Sequence, residues 1–155
     1  NNVNPCPIIE IYSPPRVTSM AEKLGWIDGL ALDLTQNDDM GEPWDFNVEE
    51  KRTKAKAMIE NKEALLLIGS PMCSAFSQLQ TLNFPQMSKT EIDRMISYGR
   101  KHLEFCTELY RTQIRKTRYF LHEHFWNAWS WKLPAINSLM SMSGALCWQG
   151  PHVPT

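Results

Sequence analysis

The sequence is short of four things, and each shortage narrows what the protein can be. Its longest apolar run, Ala64-Leu-Leu-Leu-Ile68, falls far below the about 20 residues needed to cross a bilayer, so neither a membrane-spanning helix nor a membrane partner is expected. It has no excess charge: 16 Lys and Arg stand against 17 Asp and Glu, a net charge of −1. That balance gives no global pull toward nucleic acid or anionic lipid, so any such binding must come from a local patch. It has no paired cysteines. Cys6, Cys73, Cys106 and Cys147 are widely spread with no C-x-x-C, which argues for free thiols and an intracellular, reducing compartment (cytoplasm or nucleus) rather than a disulfide framework or zinc finger. Finally, it has no internal repeat and no low-complexity tract.

What is present suits one ordinary domain. The chain has 155 residues, 43% hydrophobic and 21% charged, which fits a globular fold and excludes a disordered tail, a collagen-like rod and a coiled coil. It starts at Asn1 rather than Met and trails off in Gly150-Pro-His-Val-Pro-Thr155. A piece of a longer protein is therefore expected, and a signal peptide upstream of Asn1 would not be visible.

Apolar runs alternate with helical patterns. Strands are expected at Pro7–Tyr12, Leu30–Leu34, Ala64–Gly69 and Tyr119–Leu121, with a last one at Ala145–Trp148. A short helix should cover Thr18–Leu24 and stop at Gly25. Asn47 with Glu50 three residues on reads as a capping box opening a helix to about Asn61. The stretch Gln36–Phe46, with Asp38, Asp39, Gly41 and Pro43, reads as loop. Ser88 caps a long helix on which Ile92, Met95, Ile96, Gly99, Leu103, Cys106, Tyr110 and Ile114 share one face. Pro134 opens a helix to about Met142. Strands alternating with helices predict an α/β fold: a Rossmann-like, mostly parallel sheet with helices on both faces. Sites in such sheets form beyond the carboxyl ends of the strands, which directs attention to Ser13-Pro-Pro-Arg16, Asp33, Gly69-Ser-Pro-Met-Cys73 and His122-Glu-His124.

Cys73 is the sharpest candidate. A thiol at a turn beside a helix end can be held as a thiolate, a strong nucleophile needing no metal; the plainer reading is a small buried hydrophobe. Glu123 at another strand end could act as acid or hydrogen-bond donor, or be an ordinary loop carboxylate. His122 and His124 share a face of an extended segment, but the spacing supplies no further ligands and no metal site is expected. Asp33 suits ribose hydroxyls, its two acceptor oxygens matching a diol, or is a solvated strand end. Arg111, Arg115, Lys116 and Arg118 suit phosphates or, more simply, a helix C-terminus that favours cations. Trp126, Trp129 and Trp131 could stack on bases, though such residues more often supply core bulk.

Gly69-Ser-Pro-Met-Cys-Ser-Ala-Phe-Ser77 resembles the nucleophile motif of DNA cytosine 5-methyltransferases, G-G-P-P-C-Q-x-F-S. Gly69, Pro71, Cys73, Phe76 and Ser77 match; Met72 and Ser74 replace the second Pro and the Gln. Phe120-Leu-His-Glu-His124 resembles that family's strand ending in E-N-V, with Glu123 on the glutamate and His124 in place of Asn. The resemblance spans about residues 8–131 in the right order. It implies an S-adenosylmethionine-dependent enzyme acting on DNA, which takes its target cytosine out of the stack. Cys73 would attack carbon 6, Glu123 would bond to ring nitrogen 3, and carbon 5 would take the methyl group. It further implies Tyr12, Ser13, Asp33, Asp45, Ser70 and Pro71 as cofactor-binding residues, and Ser74, Phe76, Ser77 and His124 as substrate-binding ones.

The departures from the family are specific. Its Gly-rich turn after the first strand is replaced by Ser13-Pro-Pro-Arg16, and prolines donate no N–H, so cofactor contacts must differ. One strand–helix unit between Asp33 and Ala64 looks compressed or lost. The later Q-x-R-x-R motif and the target-recognition region are not visible, so residues 1–155 read as a single, partial catalytic domain, with DNA gripped mostly from outside it. Two alternatives stay open. Ser70-Pro-Met-Cys73 also resembles the [D/N/S]-P-P-[aromatic] motif of methyltransferases acting on exocyclic amino groups, with Phe76 standing in for the aromatic. A degenerate or truncated fold with a binding role is the other.

Overall fold

Among the described residues, four short strands pair side by side, all parallel, in the order β2-β1-β3-β4. They are β1 (Ile8–Ile11), β2 (Leu30–Leu32), β3 (Leu66–Gly69) and β4 (Tyr119–His122). The described residues also form five α-helices: α1 (Val17–Lys23), α2 (Glu49–Asn61), α3 (Gln78–Asn83), α4 (Lys89–Arg115) and α5 (Pro134–Met140). This computed structural model describes residues 8–25 and 29–147.

The sheet is covered on both faces, as the apolar runs of β1 and β3 require. Ile9, Ile11, Leu32 and Leu67 point to one side, against Ala55 and Ile59 of α2, Phe105, Cys106, Leu109 and Tyr110 of α4, and Leu139 of α5. Ile8 and Ile68 point to the other, against Ala21 of α1. β4 is an edge strand, and its outward residues Tyr119 and Leu121 are exposed. A separate apolar cluster, formed by Ala75, Phe76, Leu103, Ala128, Leu133 and Ile136, sits beneath the turn that carries Cys73.

The fold class and the long helix match the sequence reading. α4 starts where Ser88 predicts, through a complete capping box with Glu91. Its buried face includes Gln113, whose amide donates to Ala64 O and Tyr119 O at 2.9 Å each. One side chain thus ties the helix to the approaches of two strands. Between Asp33 and Ala64 there is one helix and no further strand, as the sequence implied.

Three expectations need correction. Asn47 does not cap α2: the cap position is Val48, with no side-chain bond. The side chain of Asn47 is engaged instead with Asp45, Tyr98 and His102, and Glu49 and Glu50 in the first turn supply the favourable charge. Ala145–Cys147 is irregular rather than a strand; Trp148, like Pro7 at the start of the first expected strand, lies outside the described residues. A helix the sequence reading omitted, α3, follows the cysteine turn. Ser77 caps it by accepting from Gln80 N–H at 3.1 Å.

Glu10 is the one carboxylate in the middle of the sheet, and it is 1% exposed. It points away from the main core to the start of α1. Its Oε2 accepts from Arg16 N–H (3.1 Å), Thr18 N–H (2.8 Å) and the Thr18 hydroxyl (2.7 Å). The buried position is tolerable because these donors replace water.

Candidate functional site

With strand order β2-β1-β3-β4, the crossover from β1 runs one way and the chain enters β3 on the other side. The crevice between β1 and β3 is therefore the switch point at which α/β sheets hold ligands. A cavity of about 250 Å³ opens here. Tyr12 comes from the end of β1, Asp33 and Leu34 from the end of β2, and Ser70 and Met72 from the end of β3. Trp44, Asp45, Phe46 and Asn47 come from the loop before α2, and Tyr98 and His102 from α4.

Each wall is held in place. Tyr12 leaves β1 with φ +61°, the left-handed region that a bulky residue rarely adopts. Three features over-determine it. Its N–H donates to Leu32 O at 3.0 Å, its ring packs on Phe46 with centroids 4.7 Å apart, and its hydroxyl meets His102 Nδ1 at 2.8 Å. Burial keeps the Tyr12 phenol protonated, well above its ordinary range; its hydroxyl donates to Nδ1 because the other His102 nitrogen, Nε2, faces Asn47 Oδ1, which can only accept. Burial, then the nearby Lys101 and Arg52 charges, pull His102 below the usual imidazole value. A neutral His102 accepts at Nδ1 and donates from Nε2 to Asn47 Oδ1 at 3.1 Å. The Asn47 amide in turn donates to Asp45 Oδ1 (2.9 Å) and to the Tyr98 hydroxyl (3.1 Å).

The loop behind this wall is clamped to α2. Asp38 Oδ1 accepts from Met40 N–H and Glu42 N–H, and its Oδ2 pairs with Lys51 and Lys54. The two ammonium partners hold the Asp38 carboxyl far below the usual carboxylate range. Lys54 also pairs with Asp39 and lies over the Trp44 ring.

The expected cofactor residues divide in two groups. Tyr12, Asp33, Asp45 and Ser70 line the cavity. Asp33 Oδ1 accepts from Thr35 N–H (2.9 Å) and the Thr35 hydroxyl (2.8 Å), and Asp45 Oδ1 accepts from Asn47 N–H (2.9 Å). All these bonds use Oδ1, so each Oδ2 carries no hydrogen bond to the described residues. Ser13 and Pro71 are not among the lining residues. The Ser13 hydroxyl is buried and donates to Pro14 O at 2.9 Å. Pro71 is buried, with its carbonyl bonded to His124.

The two expected catalytic residues sit on neighbouring strand ends. Ser70 N–H donates to Ile11 O (3.1 Å), Glu123 N–H donates to Gly69 O (3.0 Å), and the Ser70 hydroxyl donates to Glu123 Oε2 (3.1 Å). The parallel register thus continues past the strands and brings the exposed Glu123 against the turn that holds Cys73. Cys73 is a half-buried free thiol at the cap position of the 3-10 turn Ser74–Phe76, with its carbonyl accepting from Phe76 N–H at 2.9 Å. It is not among the residues lining the cavity.

Packing explains two motif positions. A Cβ at Gly69 would lie 1.9 Å from the Tyr110 hydroxyl oxygen, and one at Gly99 would lie 2.9 Å from both Ala75 Cβ and Phe76 Cζ. Both glycines let α4 press against the strand and turn that present Cys73. Phe76 is 0% exposed and meets Trp129 edge-on at 4.8 Å; it anchors the turn and offers no face to a base. Ser74 is exposed, and Ser77 is half-buried as the α3 cap.

His124 is a clamp. Pro71 O can only accept, so Nε2 donates to it at 2.9 Å, and Nδ1 accepts from the Ser130 hydroxyl at 2.7 Å. Burial lowers its basicity against the opposing pull of Pro71 and Glu123. The His122 ring lies beside it, centroids 4.8 Å apart, and meets the Tyr110 hydroxyl through Nδ1 at 3.0 Å. Burial, with a smaller contribution from His124, pulls His122 down to about 3. His124 has both nitrogens engaged, and among the described residues no group of three or more His, Cys, Asp or Glu is placed to hold a metal.

The remaining clusters have structural work. Arg115 ends α4 and Lys116 caps it; Arg111 donates to Ala135 O, Arg115 to the Thr112 hydroxyl, and Arg118 pairs with Glu63. Trp131 donates to Phe125 O and lies edge-on to His122, while Trp126 is half exposed. His102 and Tyr98 were missed by the sequence reading. The available signal was a polar His102 between Gly99 and Leu103 on the apolar face of α4.

Comparison of the chain with protein-family models, curated proteins and solved structures finds no significant match.

Proposed function

We propose that the chain is the cofactor-binding and nucleophile-bearing part of an S-adenosylmethionine-dependent methyltransferase related to the DNA cytosine 5-methylating family. The observation that carries this reading is the Ser70–Glu123 hydrogen bond, three residues before Cys73. It joins the motif bearing the thiol to the motif bearing the carboxyl, at the rim of a cavity in the switch-point crevice.

The cavity residues fit the nucleoside part of that cofactor. Asp33 at the end of β2 offers a free acceptor oxygen for ribose hydroxyls, and Tyr12, Trp44, Phe46 and Tyr98 offer apolar ring surface. When bound, S-adenosylmethionine supplies the methyl group. Cys73 would add through sulfur to carbon 6 of a flipped cytosine. Glu123 would hydrogen-bond to ring nitrogen 3 and favour charge at carbon 5, where the methyl group is taken up. A base then removes the carbon 5 proton, and the thiolate leaves as the ring double bond re-forms.

A non-catalytic nucleoside-binding domain is the second reading, favoured by the position of Cys73 outside the cavity lining. One experiment separates the two. DNA carrying 5-fluorocytosine has no carbon 5 proton to lose, so with S-adenosylmethionine an active chain becomes covalently trapped. The enzyme reading expects an adduct that Cys73→Ser abolishes and Glu123→Gln slows. Tight cofactor binding with no adduct, from this chain and from a longer one, selects the binding domain. Absence of S-adenosylmethionine binding refutes the methyltransferase reading, and absence of adenosine binding as well refutes the nucleoside-binding domain.

A further inference from the structure

We infer that a second site, an aromatic groove outside the switch-point crevice, binds an aromatic carboxylate. The groove shares no lining residue with the cavity between β1 and β3, and neither Cys73 nor Glu123 lines it. The inference therefore stands independently of the methyltransferase reading.

The first observation is a set of aromatic rings already ordered around an open hollow. Its volume, about 730 Å³, falls within the roughly 300–1,000 Å³ of ligand sites. Phe84 comes from the C-terminal cap of α3, Trp126, Trp129 and Trp131 from the segment after β4, and Ile136 and Met140 from α5. Two of the indoles are pinned by other contacts. Trp129 meets the fully buried Phe76 edge-on at 4.8 Å. Trp131 donates to Phe125 O at 2.8 Å and lies edge-on to His122. Rings held this way lose little freedom when covered, and their flat faces favour a flat aromatic occupant.

The second observation sets the charge of the occupant. Among the described residues, Lys132 is the one charged member of the lining, and its ammonium pairs with no described carboxylate. The Trp129 indole N–H can only donate; it is buried and meets no acceptor among the described residues. A buried donor left unmet is costly, and an occupant with an acceptor oxygen removes that cost. A carboxylate answers both groups with one charge, which matches the single cation better than a phosphate dianion does. Indole faces also attract cations, but the Lys132 ammonium repels a second one.

The test is calorimetric titration of the chain, at fixed pH and salt, with four probes built on one ring system: 2-naphthoate, 2-naphthalenemethanol, 2-naphthylmethylammonium and 2-naphthyl phosphate. With a charge-assisted hydrogen bond and an ion pair to gain, 2-naphthoate should bind at least about fivefold more tightly than the alcohol. The ammonium probe should bind most weakly, and the phosphate no more tightly than the carboxylate. Trp129→Phe keeps a ring against Phe76 and removes the N–H; Lys132→Gln, at an exposed position, removes the charge. Each should narrow the preference for carboxylate over alcohol at least about twofold. Equal binding of carboxylate and alcohol overturns the inference, as does tighter binding of the ammonium or the phosphate probe. So does a chain that binds none of the four, or either variant keeping the wild-type preference.

Discussion

Replacing Gly69 by alanine tests whether the cysteine turn is positioned by packing against α4. The new Cβ would lie 1.9 Å from the Tyr110 hydroxyl oxygen, 2.9 Å from Cζ and 3.2 Å from Cε1. Tyr110 is fully buried, its ring is stacked on Phe120 at 4.7 Å, and its hydroxyl meets His122 Nδ1. A rigid ring so enclosed cannot swing aside. Overpacking of this kind costs about 1–3 kcal/mol, and displacing the hydroxyl from His122 adds about 0.5–1.5 kcal/mol. Together these predict a loss of about 1.5–4.5 kcal/mol, a large part of the roughly 5–15 kcal/mol that holds a domain folded. Tyr110→Phe removes the closest atom, so Gly69→Ala with Tyr110→Phe should cost at least about 1 kcal/mol less than the two single changes summed. Urea unfolding followed by tryptophan fluorescence reads all three variants. A Gly69→Ala protein within about 0.5 kcal/mol of wild type, or a strictly additive double variant, refutes the reasoning.

Other outcomes follow from the same structure. Ser88→Ala removes the hydroxyl of the α4 capping box and should cost about 0.5–2 kcal/mol in the same assay. His122 is held neutral with its folded value near 3, so its contribution is complete above its unfolded value near 6.5 and is lost as pH falls from there toward 3. His122→Gln should flatten the acid side of the stability profile, and an unchanged slope in urea midpoints between pH 7 and 4 would show that the titrating group lies elsewhere. Asp38→Asn loosens the loop that carries Trp44 and Asp45, so adenosine affinity measured calorimetrically should fall more than affinity falls in Lys56→Gln, whose Glu108 pairing lies outside the cavity lining. Arg115→Gln with Lys116→Gln should leave any DNA affinity in a gel-shift assay unchanged, because these residues end a helix instead of facing the cavity.

The parallel sheet, the start of α4 and the buried face of that helix were legible because they depend on local patterns. Alternating apolar runs, a Ser-x-x-Glu cap and 3.6-residue spacing act within a few residues of one another. The cysteine turn and Glu123 were legible as strand ends for the same reason. Asn47 was misread because its neighbours along the chain offer a capping box, whereas its partners in space, Tyr98 and His102, lie about fifty residues away. Phe76 read as a substrate residue by its place in the motif, yet Gly99 and Trp129 draw it into the core.

Composition, periodicity and caps were thus enough to define an α/β chain with a thiol and a carboxyl at strand ends. Only the folded chain decided which side chains share a cavity. Strand order put Tyr12, Asp33 and Ser70 around one crevice, and α4 closed it with His102. Tertiary contacts made His124, expected to bind substrate, a clamp between Pro71 and Ser130, and made the buried Glu10 the anchor of α1. Those roles depend on desolvation and on contacts between distant segments, and neither is encoded in the spacing of residues along the sequence.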